Sequence, residues 1–107
     1  MAVRPPQSLG GRAAPPSGFN VLEYELQQER ASALGEATRR FEAALNAFRS
    51  FQGEEAERLR LRDRAGEALW RFVIQREACG LRNTEQMMRD YKVPGEVRLR
   101  MGVRPQT

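Results

Sequence analysis

The residues able to do chemistry in this chain are few. Histidine is absent and Cys79 is the lone cysteine. Together these exclude Ser-His-Asp and Cys-His nucleophilic sites, and every zinc site built from several Cys or His ligands. One thiol makes no internal disulfide, so a reducing, cytoplasmic compartment is expected. Cys79 falls just before Gly80, at the expected end of a helix. The helix dipole disfavours a thiolate there, so Cys79 reads as a small buried hydrophobe rather than a nucleophile. Acid–base work would have to use carboxylates. The only Asp are Asp63 and Asp90, many Glu stand four residues before an Arg, and no Gly-rich phosphate loop occurs. The expectation is a non-enzymatic protein with no cofactor and no metal.

The remaining charge is dominated by arginine: 17 Arg and Lys92 against 14 Asp and Glu, a net +4. So lopsided a ratio fits genome base composition better than selection for phosphate contacts. The excess lies at the ends, with +2 over residues 1–19 and +3 over residues 81–107. Two charged clusters are candidate sites. On a helical wheel Arg76 falls in the middle of an apolar face with Glu77 at its edge, while Glu23 and Arg30 lie in the apolar stripe of an earlier helix. If the chain folds back at Gly53, residue 76 faces residue 30, and Glu23, Arg30, Arg76 and Glu77 converge. Such a cluster could take an anionic ligand through the arginine fork. The plainer reading is a buried ion cluster that fixes helix register or a dimer contact.

The second cluster is Arg89, Lys92, Arg98 and Arg100. With Met87, Met88, Tyr91, Val93 and Val97, these residues outline a degenerate helix-turn-helix whose basic second helix would meet nucleic acid. Against that reading, Lys92 stands where the turn usually has Gly. The apolar residue after Val93 comes four positions later instead of five, and the second helix has barely two turns and lacks Asn or Gln. Nucleic-acid binding is therefore the alternative, and capping of the core the preferred reading.

These side chains must be positioned by helices. Residues 1–18, with two Pro-Pro pairs and Gly10-Gly11, read as a disordered tail without a secretory apolar region. Nowhere does an apolar run approach the ~18 residues of a membrane span. Asn20 with Glu23 looks like a capping box opening a helix to about Gln52. Within it Leu22, Leu26, Ala33, Leu34, Ala37, Phe41, Ala44, Leu45, Phe48 and Phe51 share an arc of about 140°. A second helix is expected from about Glu54 to Cys79, ending in a Gly80–Leu81 Schellman turn. Two short helices follow, one capped by Asn83 and running to about Tyr91, the other from Pro94 to about Met101, with residues 103–107 a disordered tail. Glu-to-Arg pairs at 36/40, 54/58, 67/71, 85/89 and 96/100 fit the helical register.

The fold class is thus all-α: a long antiparallel hairpin plus two short C-terminal helices, in one domain over residues 19–102. From Ala65 onward the apolar positions of the second helix span about 200° on the wheel, too much for one neighbour. A homodimer closing a four-helix bundle covers the rest, with Trp70 as the expected subunit contact. A monomer with a short three-layer core is the alternative. The protein is read as an interaction module, pairing with itself and with an unknown protein partner.

The stretch Leu69-Trp70-Arg71-Phe72-Val73-Ile74-Gln75-Arg76-Glu77-Ala78-Cys79-Gly80-Leu81-Arg82, with Arg89-Asp90-Tyr91-Lys92-Val93-Pro94 and Leu22-Glu23-Tyr24-Glu25, resembles a family of short, uncharacterised proteobacterial proteins. The likeness covers most of residues 20–102. It implies a bacterial cytoplasmic origin and carries over no site residues.

Because the first 17 residues offer no core, deleting them is expected to leave helicity and the thermal midpoint nearly unchanged. Circular dichroism melting checks this, and a loss of several degrees would show that the segment docks.

Overall fold

A computed structural model describes residues 18–103 of the chain. Among the described residues there are four helices and no strand: α1 (Gly18–Ser50), α2 (Glu55–Ala78), α3 (Thr84–Asp90) and α4 (Gly95–Arg98). The tails expected at 1–18 and 103–107 lie outside them, except that Gly18 opens α1 and Val103 follows the last turn. No described helix is long and apolar enough to cross a membrane.

α1 starts two residues ahead of the expected cap, so Asn20 lies inside its first turn. Glu23 does not close a capping box but accepts a hydrogen bond from Gln27 Nε2 at 3.2 Å. The helix stops at Ser50, short of Gln52. Phe51 leaves the helix and folds its ring over Gly53, where a Cβ would stand 2.7 Å from Phe51 Cζ. No side chain larger than hydrogen fits that bend without moving the ring, which explains the glycine at the fold-back point.

α2 ends as the sequence predicts. Gly80 takes φ 81°, its N–H donates to Glu77 O, and the Leu81 N–H reaches back to Arg76 O at 2.8 Å. This is the Schellman arrangement, with glycine relieving the Cβ clash of the left-handed conformation. α3 ends the same way, but with lysine in the left-handed place. Lys92 has φ 52°, its N–H donates to Arg89 O, and Val93 N–H donates to Met88 O.

The two short helices depart from expectation in detail. Asn83 holds the N-cap position of α3 in the left-handed region, φ 63°, and makes no side-chain cap. Gln86 is therefore free to bond Asp90 and Arg89 instead of reaching back. The helix expected from Pro94 to Met101 is only Gly95–Arg98, followed by turns to Gly102.

The core joins all four helices. Phe41, Leu45 and Phe48 from α1 meet Ala65, Leu69, Phe72 and Val73 from α2, with Met87 and Met88 from α3 and Val97 from α4 above them. Phe41, Leu69 and Val97 are fully buried. Phe41, Phe48, Leu69 and Phe72 thus occupy the positions that the wheel assigns to the core. α1 and the C-terminal helices are the two covers of the broad face of α2, the arrangement of the three-layer alternative, and they leave Trp70 and Ile74 exposed. At Gly66 the cover is so close that a Cβ would stand 2.7 Å from Arg100 Cβ and 2.9 Å from its carbonyl carbon.

Three of the five local charge pairs are replaced by others. Glu36–Arg40 and Glu67–Arg71 form within their helices. Arg58 pairs with Glu55 and with Glu96 of α4, Arg98 with Glu85 of α3, and Arg100 with Asp63 of α2. Residues that periodicity assigns to neighbours one turn away are used between elements, because packing brings a second partner within reach.

Phe72→Ala is expected to cost ~3–5 kcal/mol of unfolding free energy, through lost burial and an unfilled cavity. Gly66→Ala should cost ~1–3 kcal/mol by pushing the Arg100 backbone away. Lys92→Gly should act in the opposite sense, stabilising by ~0.5–1 kcal/mol as the left-handed strain is relieved against added chain entropy. Denaturant titration of the three variants checks all three signs.

Candidate functional site

Two surfaces of the hairpin bring chemistry-bearing side chains together, and they lie on different sides of α1. The apolar arc of α1 is divided between them. Leu34, Phe41, Leu45 and Phe48 turn toward α2 and the C-terminal helices, while Ala33 and Ala37 line an outer face. Leu22 and Leu26 continue the Ala33–Ala37 stripe at helical spacing. They lie beyond the reach of α2. The Cys79 thiol, donating to Arg30 O at 3.5 Å, marks the level at which α2 ends. Residues 21–29 project past that level and are exposed, Leu22 at 66% and Leu26 at 46%.

The outer face runs from Ala33 and Ala37 across α2 to the C-terminal turn. Trp70 and Ile74, one turn apart on α2, are 43% and 41% exposed. The Trp70 indole lies against Gly102, with the place of a Cβ 3.5 Å from Cε3. Exposed Val103 adjoins it. The Glu36–Arg40 and Glu67–Arg71 pairs cross the same face, so it is apolar with ionic interruptions of both signs.

The inner surface lies where α3 meets the end of α2. Tyr91 packs edge-on against Phe41 and Phe72, at ring centroid distances of 5.1 and 5.9 Å, and those two rings stack at 5.2 Å. The Tyr91 hydroxyl donates to Glu42 Oε2 at 2.6 Å. Burial first, then this hydrogen bond, pushes the phenol up to about 12, with the nearby Arg76 cation working the other way. One turn pair along α1, Arg49 donates to the carbonyls of Tyr91 and Lys92. Arg76 lies over the Phe72 ring, 5.8 Å from its centroid, and donates to Arg82 O at 2.8 Å.

The four charges expected to converge do not pair. Among the described residues no ion pair joins Glu23, Arg30, Arg76 and Glu77. Glu23 stands on the part of α1 that outruns α2, and Glu77 is exposed. Arg30 and Arg76 are half-buried, and Arg76 turns toward the 80–83 turn rather than across to α1. The fold-back count about Gly53 matches levels along the hairpin but says nothing of which way a long side chain turns.

The basic C-terminal residues are divided in use. Arg98 holds the Glu85 carboxyl below its ordinary range, through the hydrogen bond first and charge second. Arg100 is bound to Asp63, which also takes Arg62. Arg89 bonds Gln86, and exposed Lys92 offers its ammonium to solvent. Sequence reasoning missed Glu42, Arg49 and Asp63. Glu42 and Arg49, seven residues apart on one face of α1, carry the only signal that could have shown a partner there.

Among the described residues no group of three or more Cys, Asp or Glu could hold a metal ion. No curated protein and no solved structure matches the chain. The profile of a family of unknown function matches residues 1–107, and the chain belongs to that family, DUF6665.

Proposed function

We propose that this protein is a non-enzymatic, homodimeric interaction module of a proteobacterial cytoplasm, and that the two copies meet through the outer face around Trp70. The observation that carries the reading is a stripe left unpartnered among the described residues. Trp70, Ile74 and Val103 on one side and Leu22 and Leu26 on the other are exposed together. Large exposed apolar surfaces of this kind mark association sites. Aromatic side chains are enriched there.

A second copy is the occupant that the stripe itself favours. Leu22 and Leu26 precede Ala33 and Ala37 on one line of α1. An antiparallel pair of α1 helices seats the two large residues of each copy on the two small ones of the other, by a two-fold operation. The same register sets Glu29 of each copy opposite Arg30 of the other, so Glu29→Arg is expected to weaken the pair. The mixed signs on the face suit self-association. The basic C-terminal segment supports nucleic-acid binding less well, since Arg98 and Arg100 are held by carboxylates.

Light scattering of the pure protein is expected to give twice the 12.2 kDa chain mass. Trp70→Glu and Ile74→Glu should each return it to the chain mass with helicity retained, because both side chains are already exposed in the single chain. The wild-type unfolding midpoint should rise with protein concentration. A mass near that of one chain, unchanged over a hundredfold concentration range, would refute the dimer.

A further inference from the structure

We infer that the recess between α1, the C-terminal end of α2, the 80–83 turn and α3 is a binding site for a monoanionic carboxylate carried on an apolar body, with Arg76 as its anchor. The recess meets α1 at Leu34 and Thr38, on a different side from Ala33 and Ala37, so the inference does not rest on the dimer.

Arg76 is the reason. Arg58, Arg62 and Arg100 are half-buried like Arg76 but each is paired with a carboxylate, and half-buried Arg30, which also lacks an ion pair among the described residues, has no buried unpartnered nitrogen and does not line the recess. No described carboxylate forms an ion pair with Arg76. Its Nε is buried and has no hydrogen-bond partner. Arg100 Nε is also buried without an aligned hydrogen bond, yet Asp63 Oδ1 lies 2.9 Å from it. Arg76 Nε has no such neighbour. A half-buried guanidinium that lies over the Phe72 ring and uses one Nη2 donor on Arg82 O keeps further Nη hydrogens for a planar carboxylate. An uncompensated charge in such a place is costly, and an anion offsets that cost.

The walls choose the class of anion. Leu34, Phe72, Leu81 and Met87 give the recess an apolar side that would take a hydrocarbon or aryl group. Arg82 and Asn83 stand at its turn, where they can add donors. Asp90 also lines it, accepting from Gln86 at 2.8 Å, and its negative charge opposes a multiply charged ligand such as phosphate. The pocket therefore fits one negative charge with an apolar tail better than a compact polyanion.

Calorimetric titration and thermal melting of the full chain with benzoate, hexanoate, benzamide and inorganic phosphate test this. Benzoate and hexanoate are expected to bind and raise the midpoint, and benzamide and phosphate to do neither. Arg76→Gln should weaken carboxylate binding by about tenfold or more. Asp90→Asn changes an exposed residue and should tighten it by about threefold, which keeps the test decisive if Arg76→Gln fails to fold. No binding of either carboxylate at tens of millimolar would overturn the inference. So would equal binding of benzamide, a preference for phosphate, or indifference to both substitutions. Because Trp70→Glu leaves the recess intact, the monomeric variant should bind carboxylate as the wild type does.

Discussion

The packing of Phe41, Phe72 and Tyr91 against one another holds three helices in a single relation. Phe41 belongs to α1, Phe72 to α2, and Tyr91 caps α3. Edge-on and offset contacts of this kind contribute ~0.5–1.5 kcal/mol each beyond the area they bury. Tyr91 has a polar tip that must be satisfied where it is half-buried, and Glu42 accepts its hydrogen bond. Arg49 then takes the carbonyls that follow Tyr91, where the left-handed Lys92 turns the chain away. The direction of the last segment is set there, and α4 is brought down onto α2.

That descent explains the asymmetry of the molecule. The final segment reaches α2 only because Gly66 presents no side chain, and three ion pairs fasten it: Arg58–Glu96, Arg98–Glu85 and Arg100–Asp63. Exposed pairs contribute little individually, ~0–1 kcal/mol. Their role is to choose where the segment lies, while Val97 and the methionines of α3 supply the burial. Having spent its C-terminal helices on one side of the hairpin, the chain has nothing left among the described residues to place on the other. Trp70 rests on Gly102 at the border between the closed side and the open one.

Much of this was legible in the sequence, for physical reasons. Apolar residues recur at helical spacing over two long stretches, so α1, α2 and their core faces could be read from the wheel. Gly80 followed by Leu81 announced the end of α2, because few other residues tolerate φ 81°. What could not be read depends on distance in space. A single wheel merged two stripes of α1, and only the packed structure separates Leu34 and Phe41 from Ala33 and Ala37. The pairs expected at 85/89 and 96/100 gave way to partners 13 and 38 residues away. Nor could spacing show that Arg76 would turn toward Arg82 and away from Glu23. For the same reason the candidate sites were only half visible: the breadth of the α2 face pointed to Trp70 at its edge, where the structure leaves it exposed, whereas the recess at Arg76 needs three elements to exist.

In the proposed dimer the hairpin is closed on one side by its own chain and on the other by a second copy. Trp70 is the only tryptophan in the protein and stands at the boundary. Its fluorescence quenching by acrylamide, followed from nanomolar to high micromolar protein, measures the cover directly. The quenching constant is expected to be that of an exposed indole at high dilution and to fall several-fold as concentration rises and the emission shifts to the blue. An indole that remains equally accessible at every concentration would contradict it.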